Sequence, residues 1–590
     1  MPVETIPQKV LDNGSRKADK PAYYVRGSGG WNPVSWATYA KEVTEAAKSL
    51  MALGVEPGDK VTILGFNRPE WVIMDVAAMA VGAIPAGIYT TNSPEECKYI
   101  IAHAEAVVLL AEDEGQWNKI DAIREQVPSL RHVVMMKGAA DIDDGLVASW
   151  DEFVAKGSDV SDEDFQARLD ALELDQPATL IYTSGTTGPP KAVMLSHDNL
   201  AWTASQGAAA FGLASGDSNV SYLPLSHIAE QMFTIHIPTT VGSAVYYAVS
   251  IDDLADNLKE VQPTVFAAVP RVWEKFYAGV TAQLSQTEGA KAKIATWAMD
   301  IGRKANAERN KGGKPSGMLA AQEAVADRLV LGKVREAIGL KNGRVLVTAA
   351  APLSIDIKEF FSAFVVINEV YGQSEDTGPT AMTVPGRTKF ASVGPAYPGV
   401  EVKIADDGEI LVKGRNVFMG YYKDDAATAE TLVDGWLYSG DLGEFDGDGY
   451  LYITGRKKDI IITAGGKNVA PIPMESALKN LDLVSEAVVI GDRRKFLSVL
   501  VSLDPEAADK FLADRGLDED PHESPEIRAE IQQAIDAMNA NYARVEQIKK
   551  FTVLPRELSI EGGELTPTLK VKRNKVTEHF STEIESMYAD

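Results

Sequence analysis

Cysteine occurs once in this 590-residue chain, at Cys97, so no intrachain disulfide is available. That usage fits a reducing compartment, and equally a chain that simply avoids cysteine. Basic residues are scarce as well: 58 Lys and Arg stand against 84 Asp and Glu, a formal net charge of −26. A surface of that sign repels nucleic acid and anionic lipid unless basic residues cluster locally, which argues against nucleic-acid binding as the main role. Long apolar runs are missing too. The best candidate span is "WVIMDVAAMAVGAIPAGIY", residues 71–89. Asp75 would cost about 3 kcal/mol near a helix centre in lipid, and Pro85 interrupts the run. It reads better as a buried helix followed by a strand. The opening "MPVETIPQKVLDNGSRK" has no apolar core for a signal peptide, and the closing "MYAD" carries no lipidation or peroxisomal signal. A soluble, cytoplasmic protein is expected.

What is present is ordinary globular composition, 45% apolar and 24% charged, over a length that suggests about four domains' worth of material. From about residue 35 to 280, β-branched runs alternate with helical patterns, as in "KVTILGF" then "PEWVIMDVAAMAVG" and "AVVLLAE" then "NKIDAIREQV". That rhythm predicts βα units and mostly parallel sheets. Residues 291–343 turn helical and alanine-rich, with a break at "KGGKPSG" and 11 Lys and Arg against 5 Asp and Glu. From 391 to 455, "EVKIADDGEILVKG" and "GEFDGDGYLYITG" predict short antiparallel strands with Gly and Asp turns. After "GRKKD" comes a compact last region with strands "EAVVIG" and "FLSVLVSL". A boundary at Arg456–Lys458 gives domains 1–455 and 456–590.

The segment "LIYTSGTTGPPKAVMLSH" (180–197) reads as strand, loop, strand. Its loop gathers the hydroxyls of Thr183, Ser184, Thr186 and Thr187, the glycines Gly185 and Gly188, and Lys191, a composition suited to phosphate. It is not a Walker loop. Two prolines separate Gly188 from Lys191, and Ala192 stands where a magnesium-holding Ser or Thr would be. Taken alone, the loop says only that a phosphate is bound.

Four further segments follow in order: "SYLPLSHIAEQ" (221–231), "YGQSEDTG" (371–378), "GWLYSGDLGEFDGDGYLYITGRKKDIII" (435–462) and "LTPTLKVKRNKV" (565–576). With the loop, they resemble the adenylate-forming (AMP-binding) superfamily of acyl-CoA synthetases, luciferases and peptide-synthetase adenylation domains. The resemblance spans roughly residues 20–576. It implies a large N-terminal α/β domain with two mixed β-sheets and a small β-barrel element, and a small mobile α+β C-terminal domain. It also implies the reaction. A carboxylate attacks the α-phosphorus of ATP, pyrophosphate leaves an acyl-adenylate, and the thiol of CoA then displaces AMP, with Mg2+ as the metal.

By the same resemblance, residues 183–188 and Lys191 hold the β- and γ-phosphates of the leaving group. Tyr371 stacks on adenine beside Gly372 and Gln373, Ser374 contacts the α-phosphate, and Glu375 holds Mg2+ as a hard oxygen ligand. Asp441 takes the ribose hydroxyls, with Arg456 as the second ribose contact. His227 sits beside the substrate carboxylate, where it positions rather than deprotonates, since a carboxylate is already ionised at pH 7. A metal site is not expected there, because "HIAE" lacks a second histidine. Lys570 bridges the carboxylate and the α-phosphate during adenylation. Leu569 stands where many relatives have glycine, which keeps Lys572 as the alternative. Lys458 matches the hinge between two poses of the small domain, and Gly465 and Gly466 line a channel for CoA. In "VTAAAPLS" the residues Ala349, Ala350, Ala351 and Pro352 border adenine and the acyl group, with alanine where relatives usually carry glycine.

"GIYTTNSPEE" (87–96), "VPRVWEKF" (269–276) and "GELTPTLK" (563–570) resemble the long-chain branch, the first of them the bubblegum-type long- and very-long-chain acyl-CoA synthetases. The expected activity is therefore a long-chain fatty acid–CoA ligase. The competing expectations are a fatty-acyl-AMP ligase, another carboxylate adenylase such as a stand-alone peptide-synthetase domain, and an inactive lipid-binding scaffold. Retention of Lys191, Glu375, Asp441, Arg456 and Lys570 argues against the scaffold. The basic 291–343 stretch reads first as a solvated helical hairpin, with peripheral docking on an anionic membrane as the alternative.

Overall fold

The computed structural model describes residues 4–183, 189–566 and 569–589. The β-branched runs of the first half pair as parallel strands, as their spacing predicts. Lys60–Leu64, Ile84–Ile88, Ala106–Ala111 and His132–Met135 lie parallel in an eight-stranded sheet, with Pro177–Thr183 beside Ile84–Ile88. Lys191–Ser196 folds back antiparallel on Pro177–Thr183, and the short strand Gly420–Tyr421 completes that edge.

The helix Pro69–Ala80 is buried in all but its first residue, so the apolar 71–89 run is a core helix followed by a strand. Burial pushes the Asp75 carboxyl up to about 8, which keeps it neutral near pH 7 and avoids an unpaired buried charge. Among the described residues no helix is long and apolar enough to cross a membrane.

A second layer is built from two four-stranded mixed sheets. One runs Gly30–Ser35, Pro21–Gly27, Ala244–Tyr247, Ser218–Ser221; the other runs Val265–Ala268, Val345–Ala349, Ile367–Tyr371, Ala381–Met382. They meet where the Thr264 N–H donates to the Ser218 carbonyl over 3.1 Å, so the large domain carries two broad mixed layers. The antiparallel strands expected from residues 391–455 form an open five-stranded sheet rather than the small β-barrel element that the resemblance implies. Trp436–Phe445 is long enough to pair with Glu409–Lys413, Leu432–Val433 and Leu451–Arg456. Its outer strands Glu401–Ile404 and Leu432–Val433 do not pair with each other among the described residues, so nothing closes a barrel.

The C-terminal domain is α+β. Val484–Ile490, Leu497–Leu503 and Ile548–Val553 form a three-stranded sheet covered by Ile472–Leu478 and Pro525–Asn539. Its two apolar cores draw on no residue before Ile461, and the cores of the large domain use none after Ile453. Between the domains, Arg271 on the large one pairs with Asp504 on the small one at 2.5 Å.

Candidate active site

Strand ends from both layers of the large domain, the five-stranded sheet and the C-terminal domain converge on one cavity of about 620 Å³. Part of its lining is charged, with Lys191, Glu375, Glu409, Arg456 and Lys570. Another part is largely apolar, with Phe211, Met232, Phe233, Ile237, Met382 and Tyr397. A ligand bound across it would have a highly charged part and a hydrocarbon part.

In the charged part the phosphate-type loop begins and ends on the antiparallel strands Pro177–Thr183 and Lys191–Ser196. Ser184, Gly185, Thr186, Thr187 and Gly188 lie outside the described residues. The neck is fixed by its two flanks: Thr183 and Lys191 are cross-strand partners, and the Thr183 hydroxyl donates to the Lys191 carbonyl at 3.3 Å. Gly420–Tyr421 pairs with the same strand and so brings Tyr421 beside Lys191, whose ammonium lies 4.6 Å from the ring centroid. The Tyr421 hydroxyl donates to Glu375 Oε1 at 2.7 Å. Lysine, tyrosine and glutamate are thus one connected group.

Glu375 stands in the tight turn after Ile367–Tyr371. That turn needs Gly372, because a Cβ there would fall 1.8 Å from the Gly378 carbonyl oxygen. Asp376 braces it by accepting from the Gln373 N–H at 2.9 Å and from the Thr380 hydroxyl. Gln373 and the buried Ser374 line the cavity beside Glu375.

Asp441 and Arg456 are directly opposed on neighbouring strands, and Arg456 Nε donates to Asp441 Oδ1 at 2.9 Å. The Tyr371 hydroxyl donates to Asp441 Oδ2 at 2.8 Å. Arg456 lines the cavity while Asp441 and Tyr371 stand just behind it. The carboxylate beside it raises the Arg456 guanidinium's pKa, so the guanidinium stays ionised.

His227 precedes the short helix Ile228–Gln231 and caps it, its Nδ1 accepting from the Ala229 N–H at 3.1 Å. In the neutral ring the proton therefore sits on Nε2. Burial, with the Lys570 ammonium adding to it, holds the imidazole down at about 3. Lys570 reaches the same cavity from the C-terminal domain, whereas Lys572 precedes the helix Arg573–His579 and donates its N–H to the Glu564 carbonyl at 2.7 Å. Lys570 as a residue is exposed, while its ammonium is packed among protein groups at the cavity. That burial, with Arg456 beside it, lowers its pKa against the pull of Asp441 and Glu375. An ammonium with a lowered pKa is lost as pH rises, below its usual value of 10.5. The kcat/KM of the half-reaction that needs Lys570 should accordingly show an alkaline limb below that value, moved upward in Lys570→Arg, whose guanidinium stays charged. His227→Asn should leave the acid limb where it is. An inflection near 6.5 that vanishes in His227→Asn would contradict the neutral ring.

Ala349 ends the strand Val345–Ala349, and Ala350 follows with φ +74°. Both line the cavity, while Ala351 and Pro352 are exposed and do not. Ala350 and Leu569, the latter at φ +60°, both adopt the left-handed conformation that glycine takes without strain. Lys458 lines the cavity mouth in a single 3-10 turn, Lys457–Asp459. Gly465 and Gly466 form the exposed turn between Ile461–Ile462 and Asn468–Val469, away from the cavity lining.

The motifs did not reveal Tyr421, Glu409 or Lys457. Glu409 accepts from the Gly440 N–H at 2.8 Å and from Lys457 Nζ at 2.8 Å, so it anchors both strands of the Asp441–Arg456 pair. Only the long-range pairing of Gly420–Tyr421 with the loop strand, and of Glu409 with Leu442, gives these residues a place.

Fold and cavity together define a two-domain α/β protein built to hold a polyanion next to an apolar chain. Family models agree on both parts: residues 11–422 match the AMP-binding enzyme model and residues 458–590 its C-terminal domain model. The chain belongs to the AMP-binding enzyme family. Its relatives include the human long-chain-fatty-acid–CoA ligase ACSBG2, 37% identical over 99% of this chain and 92% of the relative. The long-chain-fatty-acid–CoA ligase FadD15 of Mycobacterium tuberculosis is 39% identical over 95% and 93% of the two chains. Among solved structures, the anthranilate CoA ligase AuaEII with anthranoyl-AMP superimposes with a TM-score of 0.74 at 20% identity, covering 99% of both chains.

Proposed function

We infer that this chain is an AMP-forming long-chain fatty acid–CoA ligase. ATP and the acid give acyl-AMP and pyrophosphate, and CoA then takes the acyl group and releases AMP. The observation that carries the reading is one cavity lined by both charged and apolar side chains, with Lys191, Glu375, Arg456 and Lys570 of the family motifs among the charged ones.

The roles follow the chemistry of each group. Lys191 and the loop that precedes it neutralise the departing pyrophosphate, and Lys570 offsets charge where the carboxylate meets the α-phosphate. His227 donates Nε2–H to the acyl carboxylate and orients it. Asp441 accepts the ribose hydroxyls, Arg456 assists, Tyr371 faces adenine, and Gln373 and Ser374 line the nucleotide. Glu375 offers one hard carboxylate, and no cluster of three metal-ligating side chains exists among the described residues. That donor set fits a Mg2+ ion completed by nucleotide phosphates and water, whose chemistry would be to offset phosphate charge. Domains 1–455 and 456–590 turn about Lys458. In the second pose Gly465 and Gly466 line the path of CoA. Peripheral contact with a membrane through residues 291–343 is part of the same reading, on the cytoplasmic side.

The acyl chain runs along the helix His197–Phe211, where Thr203, Gly207 and Phe211 recur every four residues on the cavity wall. A Cβ at Gly207 would come 2.8 Å from the Tyr397 hydroxyl and 3.6 Å from Ile237 Cδ1, so this glycine keeps the passage open. Gly207→Leu should shorten the preferred acid, losing about 0.8 kcal/mol, or roughly fourfold in kcat/KM, for each methylene denied its place. Octanoate turnover should be kept. A parallel fall for short and long acids would place the acyl chain elsewhere.

A further inference from the structure

The basic stretch expected from the sequence is a helical hairpin, Gly289–Asn310 and Gly317–Ala326, the second arm continuing through the wide turn Asp327–Leu331 into Gly332–Ala337. Ala298, Ile301, Ala305, Ala326 and Leu331 seat it on the core. The opposite side of the second arm is apolar where solvent would be expected. Met318 is 77% exposed, Val325 51% and Leu329 47%. Spaced by seven and four residues, they form one stripe about 16 Å long. Exposed apolar residues scattered singly need no explanation, but a stripe does.

Cations flank the stripe at both ends: Lys311 and Lys314 in the turn before it, Arg328 and Lys333 at its far end, all exposed. The acids of the hairpin are largely occupied. Asp300 pairs with Lys304 at 2.6 Å, Glu323 with Arg309 at 2.7 Å, Asp327 with Arg335 at 2.5 Å and Glu336 with Lys341 at 2.9 Å. Of the 11 cations in 291–343 that leaves seven, against the single acid Glu308, on a chain of net charge −26.

We propose that this face docks on an anionic lipid surface, with Met318, Val325 and Leu329 entering the acyl boundary and the flanking cations meeting lipid phosphates. It deepens the lipid-contact part of the ligase reading and rests on it. An apolar stripe along a helix axis with basic flanks is the arrangement that lies in a membrane interface. Two copies joined through this face would oppose its four flanking cations with the same four, so a symmetric dimer does not fit it. Nucleic acid would leave the three apolar side chains without a partner.

The test is sedimentation of the full chain with vesicles of phosphatidylcholine, with and without phosphatidylglycerol, at low and raised salt. Two variants accompany it: Met318→Ser with Val325→Ser and Leu329→Ser, and Lys311→Glu with Lys314→Glu, Arg328→Glu and Lys333→Glu. The chain should prefer the anionic vesicles by about tenfold or more and lose that preference in salt. Both variants should lose binding while turning over octanoate in solution at the original rate. Equal binding to neutral vesicles, no binding, or binding unchanged in both variants would overturn the proposal. So would a concentration-dependent dimer that the apolar variant dissolves, which would mean a second copy covers the face. If vesicle binding holds but no acid is turned over, it is the ligase reading that fails.

Discussion

Lys570→Ala should lower acyl-AMP formation by at least about 10²–10³-fold, the scale on which a lost charge-stabilising donor acts in an enclosed site. Conversion of supplied acyl-AMP to acyl-CoA should change little. The asymmetry comes from position. Lys570 belongs to a domain with its own cores, yet its side chain lies in a cavity built by the other domain, close enough to depress the His227 imidazole. A lysine delivered by a separate domain serves the step performed while that domain is closed on it. On the proposed turn of that domain about Lys458, Lys570 is withdrawn for the second step. Lys572→Ala should leave both half-reactions within about twofold, since its backbone, not its ammonium, is what the fold engages. Equal loss of both half-reactions in Lys570→Ala, measured separately, would remove the turning domain from the account.

If the proposed ribose contact holds, Asp441→Ala should raise the KM for ATP by about a hundredfold or more, because two hydrogen bonds to a charged acceptor would be lost together. The same change should lower stability by about 1–3 kcal/mol. Asp441 is nearly buried and holds both Arg456 and the Tyr371 hydroxyl, so truncation leaves a guanidinium and a phenol without their partner. The figure stays modest because the Arg456 side chain keeps 39% exposure and water screens it. Asp441→Asn retains the shape and one acceptor, and should recover most of the stability but little of the ATP affinity. Urea midpoints and ATP titrations separate the two effects. If Asn restored ATP binding as well, the charge of Asp441 would have no part in holding the ribose.

Much of this site was legible in the sequence because adenylate chemistry is concentrated in short, local segments. Lys191, Glu375 and Arg456 stand in motifs a few residues long, and the structure brings them to one cavity. The βα rhythm was legible for a similar reason, since each strand or helix is marked by its own periodicity. Closure of a barrel and the positions of Tyr421 and Glu409 were not. They depend on which distant strands pair: Gly420–Tyr421 with Lys191–Ser196, and Glu409–Lys413 with the ten-residue strand Trp436–Phe445. Conversely, Ala351, Pro352, Gly465 and Gly466 sit in or near motifs but point to positions outside this cavity. A motif gives the neighbourhood of a residue; the backbone conformation, as at Ala350 with φ +74°, decides which side chain faces the ligand.

The most direct test of the central claim is AMP release and acyl-CoA formation over acids from acetate to tetracosanoate, with aromatic and amino acids alongside, in the presence and absence of CoA. CoA-dependent turnover that peaks among acids of fourteen carbons or longer is the result this cavity predicts. Acyl-AMP that accumulates with CoA present and forms no thioester, or turnover confined to short or aromatic acids, would contradict it.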